Sequence, residues 1–288
     1  MMTDYGEERQ RSLVLDYFGS TARIRALRRA ETFGASVFVV DFDRGPRHFR
    51  TLGSFGAGAQ VTEQSSMELL YPDRLVFHYE RLMSLALAMS ARSVNALLLG
   101  VGGAAMWRFL RAYLPDCAPT LVDSDETIVG IARRWFYLKQ PVVLETAQHF
   151  LAETNARYDV ILVDLYGPGG PAESDEAFWV CCLDTLAPGG CLAINWADFA
   201  VNPNVRPMAA SLSAVAHARD LEPILVTRRG FRDNLVQYVP TASETRAGAT
   251  SLEGLNRVLD RLVQQRHIPE RGRGILENCI VTARFPIE

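Results

Sequence analysis

The loop Gly100-Val101-Gly102-Gly103 and the acid Asp123 are the residues whose types and spacing most directly imply chemistry. Glycines between a strand and a helix permit a tight turn and let the backbone approach a ligand closely. An acidic side chain at the end of the following strand can accept both hydroxyl hydrogens of a ribose. Gly100, Gly102, Gly103 and Asp123 therefore predict a nucleoside site at the carboxyl edge of a sheet. The dinucleotide spacing puts Ala105 where a third glycine would stand, which that motif tolerates, so the glycine loop alone leaves NAD open. Asp125 reads as a helix N-cap. Asp164 ends the apolar run Val160–Val163 and precedes a Gly/Pro loop, which puts a second carboxylate at the same edge. Tyr166 reads as stacking on substrate or adenine, or as an exposed aromatic; Tyr79 reads as a site residue or as part of a core stripe. His78 and His149 have no partners at ligand spacing, so no metal is expected.

Bringing these residues together requires an ordered set of elements. Strands at Ala96–Leu99, Thr120–Val122, Val142–Leu144, Val160–Val163 and Cys191–Asn195 alternate with helices at Ala104–Tyr113, Ile128–Tyr137, around His149–Leu151 and at Glu176–Leu186. That βαβ alternation predicts an α/β fold with a Rossmann-like, doubly wound, mostly parallel sheet. Ala187-Pro188-Gly189-Gly190 reads as a turn before the last of these strands. Ile224–Val226 and Leu235–Val239, flanking a turn at Arg229–Asp233, predict an antiparallel pair at the sheet edge. Ser251 to Gln265 reads as a late amphipathic helix carrying Leu252, Leu255, Val258, Leu259 and Leu262.

Upstream, the first 35 residues read as a polar lead-in, with Arg23, Arg25, Arg28 and Arg29 along a short helix. A strand at Ser36–Phe42, a turn at Asp43-Arg44-Gly45-Pro46, a returning strand at His48–Leu52 and further short β-structure to Leu70 make a small N-terminal β-domain. Tyr71-Pro72-Asp73 reads as the start of a helix through Leu75, Tyr79, Leu82, Met83 and Ala86. Three divisions are expected: 1–70, the arm and small β-domain; 71–245, the nucleoside-binding catalytic domain; 246–288, a C-terminal helix and tail.

From about Val37 to Val239 the chain resembles the spermidine synthase family, in particular its bacterial spermidine-synthase-like group. The resemblance rests on Gln64-Ser65-Ser66-Met67-Glu68-Leu69, Pro72-Asp73-Arg74-Leu75-Val76 with Tyr79, Leu98–Gly103, Val122-Asp123-Ser124-Asp125, Ala132–Phe136, Tyr158–Asp164 and Leu186–Gly190. It implies the fold of class I S-adenosylmethionine methyltransferases and S-adenosylmethionine or its decarboxylated form as donor. It also implies Asp123 on the ribose, with Gln64 and Thr146 at the donor. Asp164 is implied as the group that orients or deprotonates the attacking amine, and Tyr79 as lining the same cavity. The chain departs from the family at three places. Gly103 stands for an aspartate that meets the donor's amino group, Thr146-Ala147 for an Asp-Gly pair at the adenine, and Gly167 for an aspartate at the far ammonium of putrescine. A buried dication needs carboxylate partners, so ordinary putrescine aminopropylation is not expected. Glu80, Glu145 and Asp198 are the carboxylates that could compensate, with Glu80 and Tyr166 taken as substrate residues.

Composition fits this reading. In 288 residues, 48% are hydrophobic, enough for a sizeable core, and a net charge of −3 argues against nucleic-acid or membrane-surface binding. Five cysteines at no metal or disulfide spacing, and no apolar signal core, predict a cytoplasmic protein with reduced thiols. Trp107, Trp135 and Trp179 read as packing residues, and Cys181-Cys182 as buried in a helix. The expected function is alkyl transfer, of aminopropyl or methyl, to a small-molecule amine-type acceptor by a homodimer without a metal. The alternative is a non-catalytic nucleoside-binding or scaffold protein that keeps the fold.

Overall fold

The structure, a computed structural model, describes residues 6–30, 35–56, 60–92, 95–165, 175–197, 199, 202–228, 234–242, 251, 253–257, 260 and 279–282. The chain opens with helix α1 (Glu7–Phe18) and an antiparallel meander of β1 (Arg23–Ala30), β2 (Ala35–Arg44), β3 (Arg47–Phe55) and β4 (Val61–Glu68). Alternation along β2 sorts its side chains to two faces. Phe38, Val40 and Phe42 pack with Val14 of α1, while Val37 and Val39 pack with Ile128, Ile131 and Phe136 of the next sheet's layer. Arg23, Arg25 and Arg28 therefore lie on a strand, not on the helix expected for them. The apolar strand β2 needs a ladder partner on its open side, and β1 supplies it, with a register shift between Ile24 and Ala26. The expected polar arm contains α1 instead.

Residues 71–77 make turns, and the helix expected from Pro72-Asp73 begins only at His78, as α2 (His78–Ser84), followed by α3 (Ala86–Met89). Its start is set by Glu80, whose Oε2 accepts the Phe77 N–H at 3.0 Å and satisfies an orphan donor of the first turn. The second sheet then builds up through β5 (Asn95–Leu99), α4 (Ala105–Tyr113), β6 (Ala118–Val122), α5 (Glu126–Trp135), α6 (Ala147–Glu153), β7 (Tyr158–Val163), α7 (Glu176–Asp184), β8 (Leu186–Ala197), α8 (Val205–His217), β9 (Ile224–Arg228), β10 (Asn234–Pro240) and β11 (Cys279–Thr282). Its strand order is β11-β9-β10-β8-β7-β5-β6. Strands β6, β5, β7 and β8 run parallel, as expected; β10, β9 and β11 extend the sheet antiparallel. Leu98 and Leu162 enter the core on one face of this sheet, and Leu97, Leu99, Ile161 and Val163 the core on the other.

Three local expectations change. Val142–Leu144 forms a single parallel bridge, Val143 to Val122, rather than a strand. Ala187–Gly190 is a bulge inside β8 rather than a turn before it: Tyr158 pairs with Leu186 but Val160 with Cys191, and Gly189 takes φ +79°. Helix α8 was not expected. Its buried residues Val205, Ala209, Leu212, Val215 and Ala216 recur at helical spacing, and Pro207 sits in the first turn, where its missing N–H has no partner to lose. Leu255 of the expected late helix is buried in the core, while Leu252, Val258, Leu259, Leu262 and the turn at 229–233 lie outside the described residues. Among the described residues, no helix is long and apolar enough to cross a membrane.

Candidate functional site

Parallel strands end on one edge, and a cavity of about 580 Å³ opens there between the two sheets. Its floor is the β5–α4 loop. Gly100 takes φ +92°, and a Cβ there would lie 2.2 Å from the Asp164 carbonyl oxygen, so this position admits no side chain. Gly102 also has positive φ, +48°. At Gly103 a Cβ would lie 2.5 Å from Ser65 Oγ and 2.8 Å from Ser65 Cβ. Strand β4 thus fills the space where the family aspartate would project.

Asp123 leaves the end of β6 and is half-buried beside this loop. Its Oδ2 accepts the Val101 N–H at 2.8 Å, and its Oδ1 accepts the Asp125 N–H at 3.0 Å. Burial raises its carboxyl above the ordinary range, and backbone N–H groups from Asp125, Val101 and Gly102 oppose that rise. The carboxylate already braces the glycine loop and keeps further lone pairs for a ligand. Asp125 is an N-cap, as read, accepting from the Thr127 and Ile128 N–H groups.

On the other side of β5 from Asp123, β7 delivers Asp164, whose N–H donates to the Leu99 carbonyl at 2.9 Å. Its Oδ1 accepts from Asn195 Nδ2 at 2.8 Å, and its Oδ2 lies 3.3 Å from the Tyr79 hydroxyl, which lies equally far from the Gln64 carbonyl oxygen. Burial raises the Asp164 carboxyl, while the hydrogen bonds from Asn195 and Tyr79 draw it down. Glu80, one residue from Tyr79, is buried, and loss of solvent together with the charge of Asp164 pushes it up to about 8 despite its bond from the Phe77 N–H. At neutral pH Glu80 therefore favours its protonated form. Tyr79 is held protonated, its phenol raised well above 10 by burial and by Asp164.

The cavity wall therefore brings together Gly100, Gly102, Gly103, Asp123, Thr146, Gln64, Tyr79, Glu80 and Asp164. Thr146 caps α6, its Oγ1 accepting the His149 N–H at 3.2 Å, and the Gln64 amide donates to Ser54 Oγ at 2.9 Å. Glu145 lines the cavity and pairs with His149 at 2.9 Å. Tyr166, Gly167 and Asp198 lie outside the described residues. No group of three or more His, Cys, Asp or Glu that could hold a metal occurs among the described residues. Sequence reasoning missed Asn195, Asn234, Ser65 and Arg108. The signal for Asn195 was a lone amide at the carboxyl end of an apolar strand. Arg108 is buried on α4 and ties the glycine loop to its surroundings, donating to the carbonyls of Gly103, Pro72 (2.6 Å) and Phe136 (3.1 Å).

No family model matches the chain. A polyamine aminopropyltransferase from Neisseria meningitidis is 31% identical over 143 residues, which cover 47% of this chain and 54% of that protein. The chain spans about half the length of the curated relatives it matches. A probable spermidine synthase from Corynebacterium glutamicum shares the fold, with a TM-score of 0.66 at 19% identity over 82% of this chain and 87% of the other. A spermidine synthase solved in complex with the transition state analogue AdoDATO gives 0.59 at 14% identity, over 88% of each chain. In sequence over nearly half its length, and in fold over most of it, the chain is similar to the polyamine aminopropyltransferases, the spermidine synthase family.

Proposed function

We propose that this chain is a spermidine-synthase-like transferase. It takes S-adenosylmethionine or its decarboxylated form and moves an alkyl group to a small amine. The observation that carries the reading is that Asp164, with Tyr79, lines one cavity with the glycine loop and Asp123. The donor is a sulfonium, so its leaving group is already activated. The amine lone pair forms the new C–N bond, the C–S bond breaks with its electrons going to sulfur, and Asp164 takes the amine proton. The protein's work is alignment and proton removal. Gly100, Gly102 and Asp123 hold the nucleoside, with Gln64 and Thr146 beside it, and Glu80 and Tyr166 meet the acceptor. The proposed assembly is a homodimer, with residues 71–245 as the main part of its catalytic domain, to which β11 adds an edge strand and Leu255 a core residue.

Putrescine is a poor acceptor in this reading. Gly167 stands where the resemblance implies an aspartate for the far ammonium of putrescine, and the donor-side carboxylates are not replaced either: Ser65 closes the space at Gly103, and Thr146 is engaged as a helix cap. Thermal shift with S-adenosylmethionine, its decarboxylated form and methylthioadenosine identifies the donor, because a ligand that binds only the folded state raises the melting temperature. Mass spectrometry of products from a panel of amines then identifies the acceptor. Asp123→Ala is expected to weaken the binding of the donor by roughly 1.5–3 kcal/mol, the scale of hydrogen bonds to a charged group. Wild-type affinity in that variant, by calorimetry, overturns the nucleoside assignment. Efficient spermidine formation from putrescine overturns the acceptor assignment. Binding without any product favours the scaffold reading.

A further inference from the structure

Strand β8 carries one amide in an otherwise apolar stretch: Leu192, Ala193 and Ile194 are fully buried, and Asn195 beside them is 4% exposed. Burying an amide is costly unless its hydrogen bonds are met. Its partners among the described side chains both line the cavity. Nδ2 donates to Asp164 Oδ1 at 2.8 Å, and Oδ1 accepts from Asn234 Nδ2, on β10, at 2.9 Å. Parallel pairing of Val163 with Ile194 sets Asp164 and Asn195, each the next residue, side by side at the strand ends. The second bond fixes the sense of the first. A flipped Asn195 amide would turn its carbonyl to a carboxylate and its N–H groups to the Asn234 donor, losing both bonds.

We propose that Asn195, locked by Asn234, is a positioning residue for Asp164. It occupies one carboxylate oxygen and leaves the other, Oδ2, turned toward Tyr79 and the cavity, where the amine arrives. The mechanistic part rests on the reading of Asp164 as the base; the structural part does not. The hydrogen bond from Asn195 is the first of the two influences that draw the Asp164 carboxyl down against burial, and that from Tyr79 is the second. Among the described residues, the titratable groups that interact with Asp164 are Tyr79 and Glu80, both from α2. Burial raises both, and the hydrogen bond from Asn195 opposes the same effect of burial on Asp164.

The test uses the full chain with aspartate carboxyls labelled with carbon-13, the Asp164 signal being assigned by its loss in Asp164→Asn. In Asn195→Leu, which keeps the number of side-chain heavy atoms and removes the amide, Asp164 is expected to titrate higher by about one pH unit, the scale of losing a hydrogen bond to the charged form. Affinity for methylthioadenosine is expected to stay at the wild-type value, because the nucleoside end of the cavity is untouched. An unmoved Asp164 titration overturns the proposal. Asn234→Ala, which leaves β8 intact, repeats the comparison if Asn195→Leu does not fold: a smaller rise supports the proposal and no rise overturns it. A parallel rise in the acid limb of the turnover profile supports the mechanistic part. A moved titration with an unmoved acid limb keeps the positioning role and overturns the reading of Asp164 as base.

Discussion

Asp164 sits where burial works against its charge, and Asn195 and Tyr79 work for it. A carboxyl raised in the folded state binds its proton more tightly there than in the unfolded chain. Above its unfolded pKa it therefore takes stability away as pH rises toward the folded value. Asp164→Asn removes that burden and keeps the shape, and an asparagine oxygen can still accept from Asn195. The expected melting temperature at pH 8 is equal to or above wild type. Turnover is expected to fall by about 10²–10⁴-fold, the usual loss of a general base. A variant that unfolds, or turns over normally, makes Asp164 a structural cap. The strand-end acids were legible because each closes an apolar run at a position that topology sends to the site. Asn195 was not, since its meaning depends on a neighbour from β7 and another from β10, and neither pairing is written in local sequence.

Helix α2 carries Tyr79 and Glu80 into the cavity wall, and its sequence alone placed its start too early. Leu75 and Tyr79 share a helical spacing, but the Pro72 carbonyl is engaged by Arg108, and Glu80 reaches back to the Phe77 N–H. Those long-range and capping bonds override the apolar period. Strand β1 was misread for the same kind of reason: its arginines sit at helical spacing, yet Arg25 answers Asp41 at 2.7 Å across the ladder. The runs Val160–Val163 and Val37–Val40 were read correctly, because four consecutive apolar residues fit a strand packed on both faces. Glu80 gives this element its own pH signature. The fold holds its proton up to about 8, whereas an unfolded glutamate releases it near 4.5. Between those values the folded state binds more protons, so stability falls as pH rises. Glu80→Gln keeps an acceptor for Phe77 and removes the titration. Thermal unfolding between about pH 5 and about pH 8 is expected to show a shallower decline in the variant than in wild type. Equal slopes would mean that Glu80 is not buried as a neutral acid.

At the scale of the whole molecule, the cavity exists because the small sheet lies against the large one. Val37, Val39, Leu52 and Met67 bury against Ile128, Ile131 and Phe136, and Arg50 spans the seam to the Trp135 carbonyl at 3.1 Å. At the cavity itself the seam closes on Ser65 and Gly103. A methyl group at residue 103 would meet Ser65 Oγ at 2.5 Å and Phe136 Cδ1 at 3.3 Å, and Ser65 is 5% exposed, with little room to retreat. Gly103→Ala is therefore an overpacking substitution, expected to cost about 1–3 kcal/mol. Ser65→Gly removes both atoms in closest conflict, so the double variant is expected to recover most of the loss. Such coupling is the mark of two residues in direct contact. Gly103→Asp in the Ser65→Gly background goes one step further, since it restores a carboxylate at the position where spermidine synthases carry one. That chain is expected to bind decarboxylated S-adenosylmethionine more tightly than its parent does, because a cationic amine gains a charged partner. Scanning calorimetry on the single and double variants reads the packing, and titration with the decarboxylated donor reads the charge. If Gly103→Ala melts with wild type, or Ser65→Gly restores nothing, the two sheets do not meet at this point and the cavity has a different wall.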